Sequence, residues 1–433
     1  MLARWTWMAA VCVVSAYGTS TWACGGYGSA EQAMPPLLES FEKLIKVEAP
    51  TATQREELEF LCGEMRRYGY AGLDRVLELR DKTDSRSPAP SINGSIARPR
   101  TDVDPWIDRI AGQRFAAHSR LFWHTSRAAA QREAERTGRP VLSLRMLGRL
   151  DEDLSCANSR FFRTILYPDP EIRRLLRTHF VLHWQPVRDV PVVTVDFGDG
   201  KLLRQPLVGN SVHLLVSPEG HVLDAMPGLV TPETFSQWLG EATTLWDEIN
   251  GLAPEHRGRK LATWHAKRAQ QRRQTSHLAV TRQQNISDLN PLDPRWQEAA
   301  GGVQVKLSAV TQELVNLQQP EANAAMRIAP LKSFVEAPLL RMVQVIEPRL
   351  AIDDVFNRYA LQTKLDDWYQ VDDKPFDYDE MTQQIYEHLF LMPLDDPWLG
   401  LSTTDRFAGL EGGGRIETPA LPLATSVRSA GKR

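Results

Sequence analysis

Helical and strand patterns alternate between Trp106 and Ile249, and this alternation constrains the fold more than any other feature of the chain. The helical pattern "SRAAAQREAERTG" ends at Gly138, and the apolar run "PVLSLRML" after it predicts a buried strand. Two helical patterns follow, "SRFFRTILY" and "DPEIRRLLRTH", and then two strand patterns, "FVLHW" and "PVVTVDF". Alternation of this kind favours the α/β class, with helices packed on a mixed sheet.

The region ends in a predicted hairpin and a predicted helix. The turn "PEG" separates "SVHLLVS" from "HVLDAMPG", and we expect these two strands to pair antiparallel. The helical pattern "TPETFSQWLGEATTLWDEI" begins with the cap residue Thr231 and with Pro232 in the first helical position. A second turn is expected at Asp199-Gly200, in "DFGDG".

Helical patterns flank this region on both sides, and the hydrophobic content of 42% is ordinary for a globular protein. We predict a helical N-terminal segment at residues 35–82, a linker at 83–104 and a sheet domain at 105–250. A helical C-terminal domain is predicted at 255–400, and a disordered tail at 401–433.

Two charged stretches are predicted to be solvated surfaces. Arg and Lys residues recur between 255 and 275, and Asp residues recur between 366 and 379. The acidic stretch lacks the central glycine and the alternating ligands of a calcium-binding loop, so no metal site is predicted there. The formal net charge of −3 gives the whole chain no attraction to nucleic acid, and no nucleic-acid partner is expected.

The first 23 residues predict a signal peptide. Arg4 precedes the apolar run "WTWMAAVCVVSAYG", and small residues follow, with cut sites after Ala23 or Ala30. A cut after Ala23 would leave Cys24 at the new N-terminus, which resembles a bacterial lipoprotein. We therefore predict an exported protein of the bacterial periplasm or cell envelope, either soluble or attached to the membrane only through a lipid anchor at Cys24.

Cys156 is the strongest chemical candidate, because it stands between a predicted strand and the start of a predicted helix. Free backbone N–H groups at a helix start stabilise a thiolate, and Arg160 and Arg163 add positive potential. The acidic stretch at residues 151–153 acts in the opposite direction, so the sequence leaves the sign of the pKa shift open. Three interpretations remain: an inert packed cysteine, a reactive monothiol, or a disulfide with Cys62 or Cys24.

The chain from about residue 120 to 245 resembles the thioredoxin superfamily. The resemblance rests on "TGRPVLSL", on Cys156 at the next helix start, on "FVLHW", and on the terminal hairpin "SVHLLVSPEGHVLDAMPG". It implies a thioredoxin-like mixed-sheet sandwich with helical additions at both ends. In that family two cysteines in a CxxC motif exchange disulfides, whereas "CANS" here has Ser159 at the resolving position. The family's proline next to the active cysteine would fall near Val212, where this chain has none.

The resemblance implies three candidate catalytic residues: Cys156 as the nucleophile, Ser159 as a hydrogen-bond donor to its sulfur, and His213 as a base near it. His179 and His183 lack further ligand residues nearby and are interpreted as structural or exposed side chains. No cofactor motif or metal-ligand set is predicted.

Two functions follow from these patterns. The first is a monothiol redox or thiol-capture role through Cys156, with another thiol-containing protein as the partner. The second is non-enzymatic, in which a thioredoxin-like domain serves as a scaffold or binding protein at the cell envelope.

Overall fold

The computed structural model describes residues 27–47, 50–84, 103–206, 209–280, 353–354, 356–371, 376–396 and 399. The predicted signal peptide with Cys24, most of the predicted linker, the middle of the predicted C-terminal domain and the predicted tail lie outside the described residues. One compact unit extends to Thr382, and a second, smaller unit begins at Gln383. Each unit is described by itself, and the domain boundaries stay predictions.

The N-terminal part is helical, as the apolar spacing predicts. Its helices are α1 (Tyr27–Ile45), α2 (Ala52–Arg67), α3 (Tyr70–Asp84), α4 (Asp104–Ala111) and α5 (Ala116–Ser119). Helix α2 begins at a capping box, in which Thr51 Oγ1 accepts from the Gln54 N–H and the Gln54 side chain accepts from the Thr51 N–H. Apolar side chains from α1 to α5 form one core, which includes Cys62.

The central region alternates between helices and strands in the predicted order. Its elements are α6 (Arg127–Thr137), β1 (Val141–Leu147), α7 (Ala157–Phe161), a π-helical turn (Phe162–Leu166), α8 (Pro170–His179), β2 (Val181–Arg188), β3 (Val192–Asp196), β4 (Leu202–Pro206), β5 (Ser211–Val216), β6 (His221–Pro227) and α9 (Pro232–Ile249). Gly138 ends α6 with a φ of 68°, and Thr231 caps α9, so both predicted helix ends are confirmed.

The described C-terminal elements of the first unit are helical apart from a short strand. They are α10 (Pro254–Val280), a π-helical turn (Asn357–Leu361), α11 (Gln362–Val371), β7 (Phe376–Asp377) and most of α12 (Tyr378–Gln384), whose last two residues belong to the second unit. A π-helical turn (Ile385–Leu389) follows in the second unit. Helices α10 and α11 pack side by side, and β7 pairs with β6.

The main sheet has the strand order β2-β1-β5-β6-β7, and the fold is therefore mixed α/β, as predicted. Strand β1 is parallel to β2 and antiparallel to β5, and β6 is antiparallel to both β5 and β7. Strands β3 and β4 form a separate hairpin with its turn at the predicted Asp199-Gly200. Several apolar side chains on this hairpin are exposed, among them Val193, Val195, Phe197 and Leu203.

Strand register decides which side chains share a face of the main sheet. Leu144 of β1 lies opposite His213 of β5, which lies opposite Met226 of β6, so these three residues share one face. Ser143 lies opposite His183 of β2, on the other face. The His213 face is covered by aromatic rings from α9 and from the π-helical turn after α7.

The expectation that both charged stretches are solvated is wrong for three residues. His265 and Arg268 of α10 and Asp366 of α11 are buried where these helices pack together and against β6. The charges of Arg268 and Asp366 are compatible with burial because the two side chains form an ion pair. Within the described parts of the chain, no helix is long and apolar enough to span a membrane.

Candidate functional site around Cys156

Cys156 stands at the start of α7, as the sequence predicts. Its backbone N–H bonds the Leu147 carbonyl at the end of β1 at 3.4 Å, which fixes the cysteine beside the strand. Its sulfur accepts a hydrogen bond from the Ser159 backbone N–H at 3.4 Å and so caps the helix. The side chain is fully buried, with 0% of its surface exposed. The thiol therefore has the predicted place at a helix start but no access to solvent.

A polar network holds the loop in front of Cys156. Ser159 Oγ lies 2.6 Å from Ser155 Oγ and 2.9 Å from the Cys156 carbonyl oxygen. The buried Arg163 guanidinium donates to Ser155 Oγ and to the carbonyl oxygens of Leu150 and Glu152. Ser159 and Arg163 are therefore part of the framework that positions the loop.

Burial determines the protonation state of the Cys156 thiol. It raises the pKa of Cys156 above the usual value and outweighs the lowering by the Ser159 hydrogen bonds and the Arg163 charge. This settles the sign that the sequence left open: the protonated thiol is favoured. A buried protonated thiol is a poor nucleophile, since the thiolate is the reactive form.

The backbone of Gly209 packs directly against Cys156. A Cβ atom built on Gly209 would lie 2.6 Å from Cys156 Cβ and 2.9 Å from the Ala157 nitrogen, so no larger residue fits without movement. Gly209 is the first residue of "GNSVHLL", the stretch in which the resemblance places the position next to the cysteine, near Val212. The segment that contains Gly209 passes the start of α7 just before β5 begins at Ser211. Ser211 Oγ also accepts a hydrogen bond from Asn158 Nδ2 of α7 at 3.0 Å.

His213 is buried on the same sheet face as Leu144, and its hydrogen-bond partner is a tyrosine. Its Nε2 lies 2.9 Å from Tyr167 Oη, and its ring packs on Phe162 and Phe235 with centroids 4.7 and 4.8 Å away. Burial lowers the pKa of His213 to about 3, so the imidazole is neutral at physiological pH. A neutral, aromatic-packed imidazole bonded to tyrosine suits a packing role better than that of a base for Cys156.

The disulfide interpretation finds no support among the described cysteines. Cys62 and Cys156 are both free thiols, and both are buried. Cys62 lies in the helical N-terminal core, where burial raises its pKa to about 12. Cys24 lies outside the described residues.

A buried Ser–His–Tyr cluster on the other sheet face was not predicted. Ser143 Oγ lies 2.8 Å from His183 Nδ1 and 2.6 Å from Tyr378 Oη. Burial lowers the pKa of His183 to about 3, and the guanidinium of Arg145 contributes to that lowering. The sequence carried a partial signal, because Ser143 and Arg145 are polar residues two positions apart in an otherwise apolar strand. Ser143 is completely buried, so this cluster has no exposed nucleophile.

A second unpredicted cluster lies between β6, α10 and α11. Asp224 accepts from Arg268 and from Trp238 Nε1, and Asp366 accepts from Arg268, Arg272 and His265. The Arg268 charge lowers the pKa of Asp224 to about 2 against the opposing effect of burial.

By residue type, Asp224, His265 and Asp366 could hold a metal ion, and their ligand atoms lie close together. The geometry does not fit that use. The guanidinium of Arg268 donates to both carboxylates, and His265 Nε2 faces the Leu223 carbonyl while Nδ1 faces Asp366. Arg268 thus occupies both carboxylates and both ring nitrogens of His265 already have polar neighbours, so the cluster is an ion-pair network.

Comparisons with known proteins identify no relative. No family model, no curated protein and no solved structure matches this chain. The interpretation of the site therefore depends on its own geometry, in which a protonated, enclosed thiol stands where the sequence predicted a nucleophile.

Proposed function

We propose that residues 105–250 form a thioredoxin-like domain that acts as a non-catalytic scaffold or binding module. In this proposal Cys156 is a structural thiol that caps α7. The burial of the Cys156 sulfur carries the proposal, because thiol–disulfide exchange requires a thiolate that can reach a partner's disulfide.

Strand order supports the thioredoxin-like part of the proposal. The parallel pair β1–β2 is connected through α7 and α8, and the antiparallel strands β5 and β6 follow before α9. This is the order that the sequence resemblance implies, with Cys156 after the first strand of the sheet. The β3–β4 hairpin is inserted between β2 and β5, and its exposed apolar side chains favour a binding role over an enzymatic one.

The serine at the resolving position supports the non-catalytic part. Ser159 cannot resolve a mixed disulfide, and its hydroxyl contacts Ser155 and the Cys156 carbonyl within the helix start. The backbone at Gly209, just before β5, lies against Cys156. A partner's sulfur could therefore reach this side of the thiol only if the backbone moved.

The test is an insulin-reduction assay with dithiothreitol, comparing the full-length wild type with Cys156→Ser. We expect both proteins to match the uncatalysed rate. Catalysis by the wild type that disappears in Cys156→Ser would overturn the scaffold proposal.

Thiol capture through Cys156 is the second candidate, and one observation favours it. The Ser159 N–H points at the sulfur, and the charge of Arg163 lowers the pKa of Cys156, so a thiolate would be stabilised once the site opened. Mixed-disulfide formation with glutathione disulfide, located on Cys156 by mass spectrometry of the folded protein, would support this candidate. An unmodified Cys156 would exclude it.

We further propose that the protein is exported to the bacterial periplasm or cell envelope, on the basis of the predicted signal peptide. Fractionation of the expressing bacterium, with and without residues 1–23, tests this. Retention of the full-length protein in the cytoplasm would refute it.

A further inference from the structure

A pocket of about 200 Å³ opens between α9, α10 and the π-helical turn Asn357–Leu361, which leads into α11. Its volume is below the ~300–1,000 Å³ of sites for drug-sized ligands, so it suits a small molecule or ion. Trp238 and Tyr359 contribute aromatic surface, and Glu241 contributes the one carboxylate among the described lining residues.

Three guanidinium groups line this pocket, from Arg268, Arg272 and Arg358. The described lining therefore includes three basic residues and one carboxylate. A guanidinium group that keeps N–H donors free at such a wall can bind an anion, and the low dielectric of the surrounding protein strengthens that attraction.

Two of the three guanidinium groups are fixed by buried carboxylates that do not line the pocket. Arg268 donates to Asp224 and Asp366, and Arg272 donates to Asp366 and to Gln362 Oε1. Both aspartates have 0% exposed side chains and lie outside the lining. The network therefore fixes these two guanidinium groups at the wall, and the two aspartates balance their charge.

The third guanidinium, that of Arg358, is less tightly held. Its carboxylate partner, Asp354, lies 3.7 Å away and already accepts hydrogen bonds from Thr231 and Thr234. The guanidinium packs near the ring of Tyr359, at 5.5 Å from its centroid, and the side chain is about one-third exposed. The Arg358 guanidinium therefore has N–H donors available for a ligand.

We propose that this pocket binds a small anion through a phosphate or carboxylate group, with Arg358 as the principal donor and the guanidinium groups of Arg268 and Arg272 as the fixed wall beside it. The site is separate from Cys156 and does not depend on the function proposed above. A bound anion would bridge α10 and the segment before α11.

The test is isothermal titration calorimetry of the full-length protein with sodium phosphate and with sodium malonate at constant ionic strength. We expect at least one of them to bind one-to-one with a Kd of about 1 mM or tighter. Binding of phosphate alone assigns a phosphate group, binding of malonate alone assigns a carboxylate, and binding of both supports the general anion site. The absence of binding by either anion would overturn the proposal.

Two substitutions of opposite sign locate the site. Arg358→Gln should weaken binding about tenfold or more, because it removes a charge-assisted hydrogen bond. Glu241→Gln should strengthen binding, because it removes the repulsive wall charge, and this second variant keeps the test decisive if the first is unstable. Arg273→Gln is the matched control, since Arg273 lies on the same helix but outside the lining. Equal effects of Arg358→Gln and Arg273→Gln, or weaker binding by Glu241→Gln, would refute the assignment.

Discussion

Replacing Gly209 by alanine tests whether the backbone encloses Cys156. The added Cβ would lie 2.6 Å from Cys156 Cβ, 3.2 Å from Cys156 Cα and 2.9 Å from the Ala157 nitrogen. Carbon atoms normally approach to about 3.5–4.0 Å, so the overlap with Cys156 Cβ is about 1 Å. Two of these three contacts are with backbone atoms, which cannot be relieved by a rotamer change. The chain before β5 and the start of α7 must therefore separate.

The loss of stability expected for Gly209→Ala can be compared with the effect of the same substitution at a second glycine, Gly240. Overpacking of this kind lowers the free energy of unfolding by about 1–3 kcal/mol. Gly240, inside α9, has open space at its Cβ position, and an alanine there should raise the free energy of unfolding by roughly 0.5–1 kcal/mol. The free energies of unfolding of the two alanine variants should therefore differ by roughly 1.5–4 kcal/mol, with Gly209→Ala the less stable.

Urea unfolding, followed by far-ultraviolet circular dichroism, measures this difference. Modification of Cys156 by N-ethylmaleimide in the absence of urea should also be faster in Gly209→Ala than in Gly240→Ala. Equal stability of the two variants, together with equally slow modification of Cys156, would refute the argument that Gly209 packs against the thiol.

Three further predictions concern the buried polar clusters. Asp366→Asn should lower the free energy of unfolding by about 3–5 kcal/mol, because it leaves buried cations uncompensated. Asp367→Asn, at the exposed neighbouring position, should change the free energy of unfolding by less than about 0.5 kcal/mol, and similar urea midpoints for the two variants would contradict this. The free energy of unfolding should fall as the pH drops from 6.5 toward 3, because His183 and His213 are protonated in the unfolded chain but stay neutral in the fold. Each of the two histidines should contribute a slope of about 1.4 kcal/mol per pH unit. His213→Asn should remove about one proton from that dependence, and an unchanged slope would show that His213 is not buried as a neutral group. Tyr378→Phe should cost about 1 kcal/mol through loss of one buried hydrogen bond, and a change of 3 kcal/mol or more would mean a larger role for the hydroxyl.

Local signals in the sequence were enough to locate four of the five strands of the main sheet, whereas β7 lies in the region predicted to be helical. Gly138 ends α6, Thr231 caps α9 and the apolar run from Val141 to Leu147 is a buried strand. Each of these features depends on residues within a few positions of one another, because caps, turns and strand patterns are short-range effects. The start of a helix at Cys156 was predictable for the same reason.

Features that depend on distant parts of the chain were not predictable from one sequence. Tyr378 meets Ser143 across 235 positions, and Asp366 meets Arg268 across 98 positions. The protonation of Cys156 belongs to the same class. Its neighbours in the sequence carry charges of both signs, and the sign is decided by burial, which depends on the whole fold.

Solvent access to the Cys156 thiol is the most direct test of the scaffold proposal. The rate of Cys156 alkylation by iodoacetamide, located by mass spectrometry, should be measured in the folded protein and again in urea. An enclosed, protonated thiol should be alkylated at least about 1,000-fold more slowly in the folded protein, since reaction requires local opening or unfolding. Equal or faster alkylation in the folded protein would show an accessible thiolate and would contradict the scaffold proposal.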